Sequence, residues 1–194
     1  MHPQADEALP YLTLATHFLR LAEGACAQLV RRKNALTVVS DKPITPSQYD
    51  RRTGWSDHAV GVAILFNFYH GIELILKGCL ALQAQPPGHH KLSKLLSELE
   101  QSGACPALAA TLAPFVRRID GASPLGQFLG ANAIAIDSWY ESLKYPKSKN
   151  GKTFSHTKLK FGSLSTVAFW RSVELGSKRL RKQAVACLRE VQGA

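Results

Sequence analysis

Residues 59–82 form a run of 24 residues in which only Asn67, His70, Glu73 and Lys77 break an otherwise apolar sequence. The length suits a membrane span, but a charged group at a bilayer centre costs about 2.5 to 3.5 kcal/mol even on insertion scales. A helix over residues 57–83, enclosed by neighbouring helices, is the cheaper solution. At about 100° per residue the four polar groups fall on one strip of that helix, so each needs a partner, an adjoining cleft or a seam between subunits.

The rest of the chain supplies the neighbours. Tyr11, Leu14, Ala15, Phe18, Leu21, Ala22, Ala25 and Leu29 recur at helical spacing and predict a helix over 11–32. Further helices are expected over 90–99, stopped near Gly103, and over 106–118, with Pro106 in the first turn. Another is expected over 124–145, ended by Pro146, and a last one over 163–191. A connector over 33–56 holds Pro43, Pro46, Gly54 and the β-prone Leu36-Thr-Val-Val39 and is long for a loop; Ser56 or Asp57 is placed to cap the helix after it. No repeat or strand series competes. The expected fold is all-α: a single-domain bundle of five to six helices spanning 1–194, with a basic loop and terminal helix over 144–194.

The formal charge of the 194 residues is +10, and its placement is uneven. Half of the 24 Lys and Arg but only Glu174 and Glu190 of the 14 Asp and Glu lie in residues 144–194, so that quarter carries the whole excess. Arg171, Lys178, Lys182 and Arg189 fall on one side of the terminal helix, opposite Trp170, Val173, Leu180, Ala184, Cys187 and Val191. The preceding loop adds Lys147, Lys149, Lys152, Lys158 and Lys160, interleaved with Phe154 and Phe161. Such a mixture neutralises phosphates and stacks on unpaired bases, which points to a nucleic acid or another polyanion; a solvated lysine face and an acidic protein partner are the alternatives. Cys26, Cys79, Cys105 and Cys187 show no paired spacing, so four reduced thiols and no metal are expected. With an acidic start in place of a basic leader, the expected location is the cytoplasm, without membrane attachment.

Gly151-Lys152-Thr153 lacks the earlier glycine and the strand of a phosphate-binding loop, and Ser155-His156 lacks an acidic third member. Neither is expected to be a site.

Three segments taken together resemble the HEPN family of helical domains. They are Gly71-Ile-Glu73-Leu-Ile-Leu-Lys77, His89-His90-Lys-Leu92-Ser-Lys-Leu95-Leu96, and Leu143-Lys144-Tyr145-Pro146. The resemblance implies a nucleic-acid-handling domain without cofactor, with a role in defence or a toxin–antitoxin-like system. Where family members often have Arg before Tyr-Pro, this chain has Lys144, which keeps the charge but not the two-pronged fork that grips phosphate. The implied readings are an RNA or polyanion binder, a metal-independent endoribonuclease acting as a homodimer, or a non-catalytic subunit of a nucleotidyltransferase or similar protein. Candidate catalytic residues are Arg52 with His58, six residues apart as in the family's Arg-x(4–6)-His motif but earlier in the chain, and His70, Glu73 and His90. Candidate nucleic-acid contacts are Lys144 and the nine loop and helix cations named above.

Overall fold

A computed structural model describes residues 3–160, 162 and 164–193, with the side chains of 3, 4, 188 and 190–193 outside the description; Phe161 and the Val191 side chain therefore lie outside it. The described chain is all-α. Its helices are α1 (Pro3–Arg31), α2 (Pro46–Thr53), α3 (Asp57–Ala81), α4 (Leu92–Ser102), α5 (Pro106–Val116), α6 (Pro124–Asn132), α7 (Trp139–Lys144) and α8 (Val167–Gly193). Among the described residues the sole β pairing is an isolated bridge between Lys147 and Thr153.

Eight helices replace the expected five or six for two physical reasons. The connector holds α2, opened by a capping box: Thr45 accepts from the Gln48 amide, and Gln48 returns a bond to the Thr45 amide, with Pro46 in the first turn. The expected 124–145 helix is broken at Ala133, whose φ of 54° turns the chain left-handed, and a short 3-10 turn over Ile136–Ser138 leads into α7. Conversely, α1 begins earlier than Tyr11 and runs through Pro10, because Ala5, Ala8 and Leu12 are buried and hold the first turns in place.

α3 occupies the centre, packed by α1, α4, α7 and α8. Two glycines set how closely α1 approaches. A Cβ on Gly71 would stand 2.6 Å from Leu19 Cγ, and one on Gly78 would stand 2.8 Å from the Leu12 side chain. Higher glycine numbers thus meet lower α1 numbers, so the two helices run antiparallel. α3 is long and apolar enough to cross a membrane, yet 61% of its most apolar window is buried inside the fold, as a core helix requires.

Polar groups fix the beginning of α3. Asp57 is fully buried; its Oδ2 accepts from Asn34 Nδ2 at 2.7 Å, and from Thr166 Oγ1 and Trp170 Nε1 at 3.3 Å. Oδ1 accepts from the Gly162 amide at 2.7 Å, and Asn34 Oδ1 accepts from the Asp57 amide at 2.7 Å. Ser56 takes the N-cap position without a side-chain bond, so the carboxylate expected as a cap instead joins the segment after α1 to the approach of α8.

The expectation of four reduced thiols is corrected. Cys105 and Cys187 form a disulfide, while Cys26 and Cys79 are free and buried. Spacing along the chain gave no hint, because 82 residues separate the bonded pair and only the packing of α5 against α8 brings them together.

Candidate functional site

The polar strip of α3 divides in two. Asn67 turns back to its own helix, donating to the Ala63 carbonyl at 2.7 Å. Glu73 is only 2% exposed and gathers the rest: Lys77 Nζ stands 2.7 Å from Oε1, His90 Nδ1 2.8 Å from Oε1, and His70 Nδ1 3.6 Å from Oε2. The last distance is beyond hydrogen-bond length, and among the described residues neither His70 Nδ1 nor Glu73 Oε2, both buried, has a hydrogen-bond partner. Burial alone would push the Glu73 carboxyl up, but the neighbouring His70, Lys77 and His90 outweigh it and hold the carboxyl at about 2.

His90 precedes α4 and is held from three sides. Glu73 takes Nδ1, Trp139 Nε1 donates to the His90 carbonyl at 3.1 Å, and the Tyr140 ring stacks on the imidazole at 4.4 Å between centroids and 11° between planes. Its side chain is 48% exposed, and no described group engages Nε2. When Nδ1 carries the hydrogen toward a carboxylate, Nε2 is left as the basic nitrogen. On the far side of Tyr140, Lys144 Nζ donates to the phenol oxygen at 2.9 Å and lies 5.2 Å from the Tyr145 ring centre. The Tyr140 and Tyr145 hydroxyls raise the Lys144 ammonium above its ordinary range, so it stays charged. The line Glu73, His90, Tyr140, Lys144 therefore runs from a buried anion to an exposed cation.

Of the candidate catalytic residues, the fold brings His70, Glu73 and His90 together and leaves Arg52 and His58 elsewhere. His58 is exposed in the first turn of α3, twelve residues from His70, or about 18 Å along the helix. Arg52 lines a separate concavity of about 400 Å³ with Arg32 and Val39. His70 is walled in by Phe18, Phe66 and Trp139.

Among the candidate contact residues, Lys144, Lys147, Lys149 and Lys158 are exposed, and no ion pair engages them among the described residues. Lys178, Lys182 and Arg189 are exposed on α8, opposite the buried Trp170, Val173, Leu180, Ala184 and Cys187, as the projection requires. Three cations are partly committed: Lys152 Nζ donates to the Asn132 carbonyl at 2.9 Å, Arg171 pairs with Glu174 at 3.1 Å, and Lys160 is half-buried. His156 is engaged too, with Nε2 against the Ser142 carbonyl at 2.6 Å.

Trp139 and Tyr140 hold His90 in place, a part that the sequence reading of the 124–145 helix does not give them. The available signal was the spacing of Tyr140 and Lys144, four apart and therefore on one helix face. No protein-family model matches the chain, and no curated protein or solved structure matches it.

Proposed function

We propose that this is a HEPN-like helical protein that binds single-stranded RNA through its basic C-terminal quarter. The observation that carries the reading is the group of four exposed lysines at 144, 147, 149 and 158, which no carboxylate pairs among the described residues, beginning beside the aromatic rings of His90, Tyr140 and Tyr145. Lysines neutralise phosphates while flat rings accept unstacked bases, a combination suited to single strands rather than to duplex grooves. The family part of the proposal is supported by the meeting of its three segments at one place, Glu73 and Lys77 on α3, His90 before α4, and Lys144 at the end of α7. Fluorescence anisotropy with a labelled RNA oligonucleotide tests it: affinity falls steeply with salt because counterions are released, and a flat salt dependence refutes it.

A second reading, metal-independent RNA cleavage, is favoured by the Glu73–His90 pair. His90 Nε2 would take the proton of a ribose 2′-hydroxyl, that oxygen would bond to the adjacent phosphorus as the bond from phosphorus to the 5′-oxygen breaks, the departing 5′-oxygen would take a proton from solvent to leave a 2′,3′-cyclic phosphate, and Lys144 would offset the charge that develops on the phosphate. Cleavage in the presence of a chelator, lost in His90→Ala but kept in His58→Ala, selects this reading; binding without cleavage rejects it.

A further inference from the structure

Three sulfurs meet where α3 ends, α5 begins and α8 passes. Cys79 is fully buried near the end of α3, Cys187 is buried on α8, and Cys105 is half-buried immediately ahead of α5. Cys79 Sγ lies 3.9 Å from Cys187 Sγ, and all three sulfurs lie within 4.8 Å of one another. A closed loop of chain does not require this: the Cys105–Cys187 disulfide needs no third thiol, and a free thiol in a tight core is readily replaced by a hydrophobe of similar size. Cys105 takes φ 49°, a left-handed conformation unusual for a residue with a Cβ, at the point where its sulfur joins the group.

We infer that, once the Cys105–Cys187 disulfide is reduced, Cys79, Cys105 and Cys187 form a three-sulfur site for one thiophilic cation, Cu(I). One edge of the group already suits such an ion, and breaking the Cys105–Cys187 bond frees the third sulfur to complete the triangle. Sulfurs at about 2.3 Å from a metal at the centre of a triangle stand about 4 Å apart, the separation observed between Cys79 and Cys187. The donor set selects the metal. Structural zinc takes four protein ligands almost without exception, and no histidine, carboxylate or fourth cysteine joins this group among the described residues. Thiolates select Cu(I), which accepts three of them. Cys105, the least buried of the three, gives the path in from solvent.

The chemistry balances in two steps. A water-soluble phosphine reduces the disulfide: the sulfur–sulfur bond breaks, two thiols form with the hydrogens of one water, and the phosphine becomes its oxide with the water oxygen. Cu(I) then displaces three thiol protons to solvent and forms three metal–sulfur bonds.

The test is an anaerobic titration of the phosphine-reduced full chain with Cu(I) held by a coloured chelator. The reduced protein withdraws one equivalent, the oxidised protein far less, and Cys79→Ser binds more than about 100-fold more weakly, whereas Cys26→Ser binds as the parent does. X-ray absorption on the loaded parent protein gives three sulfur neighbours and does not depend on how any variant folds. Failure of the reduced protein to withdraw Cu(I), equal binding by Cys79→Ser, or a coordination shell with nitrogen or oxygen in place of a sulfur overturns the inference.

Discussion

His90 Nδ1 and Glu73 Oε1, seventeen residues apart in sequence, meet at 2.8 Å, and the same oxygen holds Lys77 at 2.7 Å. One buried carboxylate thus serves an exposed imidazole and a nearly buried ammonium. Glu73→Gln keeps the shape but removes the charge that Lys77 needs. Breaking a buried pair by removing one partner is expected to cost about 3 to 5 kcal/mol. Urea unfolding measures this, and a loss below about 1 kcal/mol would mean that Lys77 reaches water in the variant.

The same carboxylate sets an acid limit on stability. Its folded value of about 2 lies below the ordinary 4.5, so its contribution is fully present above pH 4.5 and is lost as pH falls toward 2. The difference corresponds to roughly 3 kcal/mol. Unfolding free energies measured from pH 6 down to pH 2 should decline through that window, and the decline should be shallower by that amount in Glu73→Gln.

Asp57 is a second buried carboxyl group, and among the described residues its donors come from 34, 162, 166 and 170. Asp57→Ala leaves those donors without their acceptor in a closed space and is expected to destabilise by more than about 3 kcal/mol. Its neighbour provides the control: His58 is exposed, and His58→Ala should fall within about 0.5 kcal/mol of the parent. Thermal unfolding of the two variants side by side decides the point.

What could be read from the letters follows from which forces are local. The central helix, the strip of Glu73 and Lys77, His90 and Lys144 were all legible, because apolar periodicity and short segments are properties of neighbours in sequence. The capping box of Thr45 and Gln48 is equally local, but it stands among the prolines of a connector whose composition favours a loop. The break at Ala133 was not legible: alanine gives no local signal for a left-handed turn. The turn is held by Asn132, which donates to the Phe128 carbonyl and accepts from the distant Ser155 amide. From sequence Asp57 is, with Ser56, only a candidate cap, because its partners Asn34, Thr166 and Trp170 become neighbours only after α1 and α8 have packed. The disulfide was hidden for the same reason.

The close approach of α1 to α3 makes a sharp packing prediction. Gly71→Ala places a methyl group 2.6 Å from Leu19 Cγ and 3.4 Å from the Ala15 carbonyl, closer to Leu19 than ordinary packing allows. Overpacking of this kind costs about 1 to 3 kcal/mol, more than the small gain in helix propensity returns. Leu19→Ala in the same background removes the obstructing side chain, so the double variant should be less destabilised than the sum of the two single changes. Additive losses in chemical denaturation would mean that the helices separate rather than clash.

RNA affinity should depend on the cations unequally, because their surroundings differ. Lys144 is exposed and has no carboxylate partner among the described residues, whereas Arg171 is already paired with Glu174. Removing Lys144 therefore takes away a charge free to meet a phosphate, and Lys144→Ala should lower affinity for every RNA sequence alike. The slope of log affinity against log salt should flatten by about 0.7 for the one lost contact. Arg171→Ala should change both quantities less, since part of its charge is already neutralised. Tyr140→Phe keeps the ring on His90 but removes the oxygen that positions Lys144, so it should weaken binding while leaving the salt slope near that of the parent. Anisotropy titrations of the three variants at several salt concentrations separate these outcomes, and an unchanged slope in Lys144→Ala would exclude Lys144 from phosphate contact.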